Sequence, residues 1–251
     1  MGSPQFFTIQ QIDAIKGIRT PHDRDLLDIG KKHVDLFKDL KRDEIEALCK
    51  AIGATVEDLD YGESWTITKE FFSGVKIHVL LQFDDEGLSG EPYEIQFLFS
   101  GDRVTWLSGE DLCHLSEILL NYAASVISEQ LPQDIFTSVP SPLLSKAMKE
   151  RTIKWQDVPM DKELYSHFTF TPFPGLDIEY DIASLPTGFE IRTEKIENFW
   201  IYDVDRLIIM GINQILRLVK IRLDKLGKAV PPICNMMFSG YYKKKHPDKF
   251  Q

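Results

Sequence analysis

The chain has 251 residues, of which 43% are hydrophobic, 27% charged and 11% aromatic. This composition predicts a soluble globular protein with a core of its own, and it excludes disordered, collagen-like and small disulfide-rich proteins. The 29 Lys and Arg residues against 39 Asp and Glu residues give a net charge of −10. Such an acidic protein is a poor candidate for nonspecific binding to nucleic acid or to an anionic membrane.

The three cysteines, Cys49, Cys113 and Cys234, are odd in number and form no C-x-x-C pair. Neither a disulfide framework nor a cysteine zinc site is therefore expected. The first residues show no leader pattern of basic residues followed by an apolar run, and no stretch of eighteen apolar residues occurs. We expect a cytoplasmic protein without a membrane span.

Residues 1–53 are predicted to form a helical N-terminal extension. Pro21 begins a helix whose apolar residues recur at steps of three and four through Leu40, with acidic residues in its first turn. Asp43 is expected to cap a second helix over 44–52, and Gly53 is expected to end that helix in the left-handed conformation.

Residues 54–131 are predicted to form a first α+β repeat. Alternating apolar residues indicate strands in 65–69, 75–81 and 93–99, and a short fourth strand through Val104 and Trp106. Glycines and an acidic turn at 84–90 separate these strands. A helix of about five turns is expected after Ser108 and before Pro132.

Residues 132–162 read as a Pro-containing connection with a short helix near 143–150. Residues 163–228 are predicted to form a second α+β repeat, with strands in 164–170, in 176–182 and from Phe189, followed by a long helix after Trp200 and Asp203. Residues 229–251 form an apolar and then basic C-terminal segment.

The two halves of the chain share landmarks that indicate an internal duplication. The run GVKI at 74–77 matches GLDI at 175–178 with an offset of 101 residues, whereas Trp106 and Asp111 match Trp200 and Asp205 with an offset of 94. The difference of seven residues falls in the acidic turn, and turns tolerate deletions. The predicted fold is α+β, with two tandem helix–antiparallel β-meander–helix units after a helical N-terminal extension.

Cys113 and His114 are weak catalytic candidates, because the start of a helix could lower the pKa of a thiol. Adjacent helical positions project about 100° apart, so a catalytic pair would need a third group from elsewhere. The alternative is that Cys113 is a small core residue.

His78 and His167 are candidates for lining a ligand cleft, since the repeat places both in strands at neighbouring positions. Surface-facing strand histidines are the alternative. The six histidines lack metal-binding spacing, the acidic turn lacks the pattern of a calcium loop, and no glycine-rich phosphate loop is present. We therefore predict no metal and no cofactor.

The C-terminal segment combines apolar, aromatic and basic residues that could dock into a partner's groove: Met236, Met237, Tyr241, Tyr242, Lys243, Lys244 and Lys245. Packing back on the protein itself is the alternative, and contact with nucleic acid is disfavoured.

The function expected from these patterns is that of a binding or interaction protein. It would take a protein partner or a small molecule in a cleft between the two repeats. The alternative is an enzyme whose site is assembled in three dimensions around Cys113, His114 and the strand histidines.

Overall fold

The computed structural model describes residues 5–18, 22–83, 92–129, 152–154, 166–174, 176–182, 188–194 and 201–227. The chain divides into two compact units, Met1–Phe136 with Pro172–Pro174, and Thr137–Thr171 with Gly175–Gln251. Helices combine with antiparallel sheets, so the predicted α+β class is confirmed.

The first unit contains a five-stranded antiparallel sheet and four α-helices. Its elements in chain order are β1 (Phe6–Phe7), α1 (Ile9–Lys16), α2 (Asp23–Phe37), α3 (Arg42–Ile52), β2 (Thr55–Glu57), β3 (Trp65–Phe72), β4 (Val75–Phe83), β5 (Tyr93–Ser100), a 3₁₀ turn (Val104–Trp106) and α4 (Gly109–Ile127). The sheet order is β1-β5-β4-β3-β2. The meander β3-β4-β5 therefore forms the centre, and two very short strands form its edges.

The core of this unit lies on the sheet face that the helices cover. Ile77 and Val79 of β4 and Phe99 of β5 point to this face and are fully buried. Gly30 allows α2 to approach the sheet closely, since a Cβ there would lie 2.9 Å from the backbone oxygen of Ile95. His33 of α2 joins α4, with its Nε2 2.9 Å from Oδ1 of Asn121.

Two sequence predictions in this unit are wrong in detail. The segment Val104–Trp106 is a 3₁₀ turn and not a fourth strand. The turn is held by the Arg103 amide, which donates to the Gly74 oxygen, and by the Trp106 amide, which donates to the Arg103 oxygen. Helix α3 begins at Arg42 with Lys41 at its N-cap, so Asp43 lies in its first turn and is not its cap.

The end of α3 is as predicted, because Gly53 has φ +65 and adopts the left-handed conformation. The predicted helical extension contains β1 and α1 in addition to the two expected helices. Helix α1 begins at a capping box in which Thr8 accepts from the Gln11 amide and Gln11 accepts from the Thr8 amide.

The second unit contains a four-stranded sheet and a long helix. Its elements in the described residues are β6 (Thr152–Lys154), β7 (Ser166–Phe173, of which Pro172 and Phe173 belong to the first unit), β8 (Leu176–Ile182), β9 (Gly188–Glu194) and α5 (Ile201–Lys225), and the sheet order is β6-β9-β8-β7. Leu207, Ile215 and Leu223 of α5 are buried. The short helix predicted near 143–150 lies outside the described residues.

No helix in the described ranges combines the length and the apolar character that crossing a bilayer requires.

Candidate functional site

A chain of buried polar side chains crosses the face of the first sheet that is opposite to the helices. Thr68 of β3 pairs with His78 of β4, and Ser100 of β5 lies two residues from Leu98, the other partner of His78, so the alternation of side chains places all three on one face. The ladder of the first hairpin shifts by one residue between Glu70 and Phe72, and beyond this bulge Thr68 lies directly opposite His78. The three side chains therefore meet by sheet geometry.

The hydrogen bonds that link these polar side chains have defined directions. The Thr68 hydroxyl donates to Oε2 of Glu57 at 2.9 Å. Because a hydroxyl has one proton, Thr68 must accept from Nδ1 of His78, which lies 2.8 Å away. The neutral imidazole then has a lone pair on Nε2, and the Ser100 hydroxyl donates to it at 2.7 Å.

The result is a continuous path from Ser100 through His78 and Thr68 to the Glu57 carboxylate. We call these four residues the serine–histidine relay. Oε2 of Glu57 lies 3.7 Å from Nδ1 of His78, so the carboxylate also acts on the imidazole through space. A serine hydroxyl that donates to a neutral imidazole, with a carboxylate beyond the imidazole, is the arrangement that activates hydroxyl nucleophiles.

The inner part of the relay is closed to solvent. His78 is 2% exposed and Ser100 is 5% exposed, whereas the Glu57 side chain is 36% exposed. Burial lowers the pKa of His78 to about 4, and Lys76 contributes in the same direction while Glu57 opposes it. His78 is therefore neutral at pH 7 and can act only as an acceptor at Nε2.

The N-terminal strand contacts the relay through Phe6. Phe6 of β1 lies opposite Ser100 in the ladder, and its ring meets the His78 ring edge-on with the centroids 5.1 Å apart. Tyr61 lies against the other side of Phe6 at 6.2 Å. An aromatic ring therefore lies directly against the imidazole.

Cys113 lies near the start of α4, where its thiol donates to the backbone oxygen of His22 at 3.6 Å. Burial raises the pKa of this thiol to about 12, and the nearby carboxylates of Asp25 and Asp13 add to the effect. These surroundings oppose formation of a thiolate. His114 follows Cys113 on α4 and is partly buried.

A histidine–aspartate pair lies beside Cys113, and the sequence patterns did not point to it. Nδ1 of His22 lies 2.9 Å from Oδ1 of Asp13, and the Asp13 side chain is buried. The two side chains fill the space at Gly109, the first residue of α4, where a Cβ would overlap both of them. Their separation of nine residues across the end of α1 offers no local motif that would have revealed the pair.

A buried lysine was also absent from the sequence predictions. The Lys69 ammonium of β3 donates to the backbone oxygens of Ile52 at 3.0 Å and Gly53 at 2.7 Å, which lie at the end of α3. It also lies over the rings of Phe71 and Phe173, at 5.9 and 5.3 Å from their centroids. Burial lowers its pKa to about 8.

The other predicted site residues are less fully described. His167 lies in β7, and its side chain is outside the described part. The acidic turn and the C-terminal residues Met236, Met237 and Tyr241 to Lys245 also lie outside the described residues, so the docking segment stays a prediction. Within the described ranges, no three His, Cys, Asp or Glu side chains group so that they could hold a metal ion.

One signal in the sequence leads part of the way to the relay. A tight turn after Phe72 fixes the pairing of β3 with β4, and the alternation already placed His78 on the face with Lys76. Counting back from the turn, however, places Lys69 opposite His78, because the bulge between Glu70 and Phe72 that brings Thr68 there has no signal in the sequence. Glu57 could not be found in this way either, because three-residue β2 is too short to show alternation.

Comparison with known proteins adds no relative. No family model matches the chain, and neither curated proteins nor solved structures gave a match.

Proposed function

We propose that the chain is a binding or interaction protein built from two related α+β units, and that exposed aromatic residues of the first unit form part of its recognition surface. The observation that carries this proposal is the exposure of Tyr61 and Phe83, each at 52%. Aromatic side chains supply much of the energy at protein interfaces.

Both exposed rings are held in place by a neighbouring ring. Tyr61 meets Phe6 edge-on at 6.2 Å, and Phe83 packs on Tyr93 at 5.1 Å. The side-chain amide of Gln82 donates to the backbone oxygen of Tyr61 at 3.4 Å, which links the Tyr61 loop to the end of β4. Rings that are fixed before binding lose little side-chain entropy when a partner arrives.

Thiol chemistry receives little support from the described cysteines. Cys49 and Cys113 are free thiols, and burial raises their pKa values to about 11 and 12. The alternative proposal, an enzyme around Cys113 and His114, requires instead a thiol with a pKa near or below the ordinary value. Alkylation of Cys113 followed against pH separates the two proposals. Reduced cysteines also support the proposed cytoplasmic location.

The proposed relation between the units is supported by their topology. The order β1-β5-β4-β3 in the first sheet has the same form as β6-β9-β8-β7 in the second, and a helix follows each meander. A shift of 101 residues carries Trp65–Phe72 onto Ser166–Phe173 and the start of β4 onto the start of β8. A shift of 94 residues carries the end of β5 onto the end of β9.

Selection of a random peptide display library on the purified full chain tests the recognition surface. We expect enriched peptides whose affinity falls at least about tenfold for Tyr61→Ala and for Phe83→Ala, since a truncated interface aromatic costs about 2 kcal/mol or more. Leu36→Ala is the matched control, because Leu36 is an exposed apolar residue of α2. Peptides that bind all three variants equally would contradict this surface.

A thermal-shift screen of metabolites decides between a small ligand and a protein partner. A compound that raises the melting temperature in proportion to its concentration, and does so less for Tyr61→Ala, would assign a small ligand to this surface.

A further inference from the structure

The serine–histidine relay carries an inference beyond binding. Ser100 is a hydroxyl nucleophile by its hydrogen bonding, since its proton points at the lone pair of a neutral imidazole at 2.7 Å. The other buried serines of the first unit are bonded differently: Ser116 donates to the Leu112 oxygen and Ser125 to the Tyr122 oxygen, both within α4. A backbone carbonyl cannot serve as a general base, whereas the lone pair of a neutral imidazole can accept the proton of an attacking hydroxyl.

We propose that Ser100 is an acyl-accepting nucleophile with His78 as its general base, and that strand β1 occludes it. The cover is a small one. Strand β1 has two residues and pairs with β5 only at Phe6 opposite Ser100 and Phe7 opposite Phe99. Such a short edge strand opens at a small free-energy cost compared with the whole fold.

The surroundings indicate the class of substrate. The ring of Phe6 meets the imidazole edge-on and is itself next to Tyr61, Leu98 pairs with His78 in the ladder, and the charged groups that act on His78 are Glu57 of β2 and Lys76 of its own strand. An uncharged ester with an apolar acyl group suits this environment better than a charged one.

The reaction balances with water as the second substrate. Oγ of Ser100 attacks the ester carbonyl and gives its proton to Nε2 of His78, the bond from carbon to the alcohol oxygen breaks, and the imidazolium returns the proton to the leaving alcohol. Water then attacks the acyl-serine with His78 again as the base, and the acid leaves. Thr68 and Glu57 keep Nδ1 protonated and are positioning residues.

Labelling with an alkyl fluorophosphonate tests the proposal on the full chain. Oγ of Ser100 would form a bond to phosphorus as fluoride leaves, and mass spectrometry of peptides would locate the adduct. We expect slow labelling of Ser100 in the wild type, and labelling about tenfold faster in Phe6→Ala, because loss of the ring weakens the cover by roughly 1.4 kcal/mol or more. Ser125→Ala is the matched control and should label like the wild type.

Two further variants separate a relay from a merely exposed serine. In the Phe6→Ala background, His78→Gln should reduce the labelling rate about a hundredfold, the lower range for loss of a general base. Thr68→Val keeps the shape of the side chain and should reduce the rate less. It also serves as the test if His78→Gln does not fold, which circular dichroism would reveal.

The pH dependence supplies a second readout. Because His78 must be neutral, the rate should rise with pH and reach a plateau, with a midpoint between the pKa of about 4 in the closed protein and the ordinary 6.5. The proposal is overturned by absence of an adduct at Ser100 in folded Phe6→Ala. It is also overturned by a rate that rises tenfold per pH unit without a plateau, since that result indicates attack assisted by hydroxide alone.

Discussion

At the scale of single residues, the strongest consequence of burial is a pH dependence of stability centred on His78. Its pKa is lowered from 6.5 to about 4 in the folded protein, so the unfolded chain binds the proton more readily. The stability that depends on neutral His78 is therefore complete above about pH 6.5 and is lost as the pH falls toward 4. A difference of this size corresponds to about 3 kcal/mol.

Urea unfolding of the wild type and of His78→Gln between pH 7 and pH 4 measures this effect. The variant should lose less free energy of unfolding over this range, because it has no imidazole to protonate at that position. Some acid dependence should persist, since burial also lowers the pKa of His33. Equal losses in both proteins would contradict the burial of His78.

A second prediction at the scale of single residues is that replacing Gly109 by alanine lowers the stability of the protein, which is the opposite of the usual effect in a helix. Replacing a helical glycine by alanine normally stabilises a protein by about 0.5–1 kcal/mol. At Gly109 the added Cβ would overlap the Asp13 carboxylate and the His22 ring, so we expect destabilisation by about 1–3 kcal/mol. Chemical denaturation checks the sign. Gly62→Ala is a comparison in which the added Cβ meets no other atom, so that any loss of stability there comes only from the strain of alanine at a φ of +78.

The residue scale also shows what sequence patterns could and could not provide. Alternation placed His78 in a strand, but its partners Ser100 and Glu57 are 22 and 21 residues away along the chain. Their meeting depends on the register of three strand pairs. The effect of surroundings on Cys113 was equally hidden, because its pKa is raised first by burial in the fold and then by carboxylates that include Asp13 of α1 and Asp25 of α2.

At the scale of elements, Lys69 joins the end of α3 to β3 and makes this contact sensitive to alkaline pH. Its pKa is lowered from 10.5 to about 8, so between these values the unfolded chain binds more protons than the folded one. Stability must therefore rise with pH across this window, by about 3 kcal/mol in total. Lys69→Met removes the ammonium and keeps much of the side-chain volume.

The measurement is the free energy of unfolding of wild type and Lys69→Met from pH 7.5 to pH 10.5. The wild type should gain stability relative to the variant as the pH rises. Lys50→Met is the matched control, since Lys50 is an exposed lysine of α3, and it should follow the wild-type profile. A constant difference between wild type and Lys69→Met would show that Lys69 has no shifted pKa.

Element length explains which parts of the fold were predictable. The strands of the first meander have eight or nine residues and show clear alternation, and α4 has 19 residues with apolar spacing. Strands β1 and β2 have two and three residues, which is too few for a period. The Val104–Trp106 turn was misread because its residues favour strands, while hydrogen bonds to the neighbouring loop decide its conformation.

At the scale of the whole molecule, the proposed duplication makes a prediction about positions in the second sheet. Ile77 is fully buried under the helices of the first unit, and a shift of 101 residues carries it to Ile178 of β8. If the units are copies, Ile178 must occupy the equivalent core position. Truncating either residue to alanine should then cost about 2–5 kcal/mol.

Thermal and chemical unfolding of Ile77→Ala, Ile178→Ala and Asp177→Asn test this correspondence. Asp177 takes the place of Lys76, which points away from the helices, so its neutral variant should change the free energy of unfolding by no more than about 0.5 kcal/mol. A small loss for Ile178→Ala beside a large loss for Ile77→Ala would mean that the second meander buries a different face. Two meanders with one strand order but opposite buried faces could not have come from one unit, because a change of face requires every side chain along β8 to shift by one position.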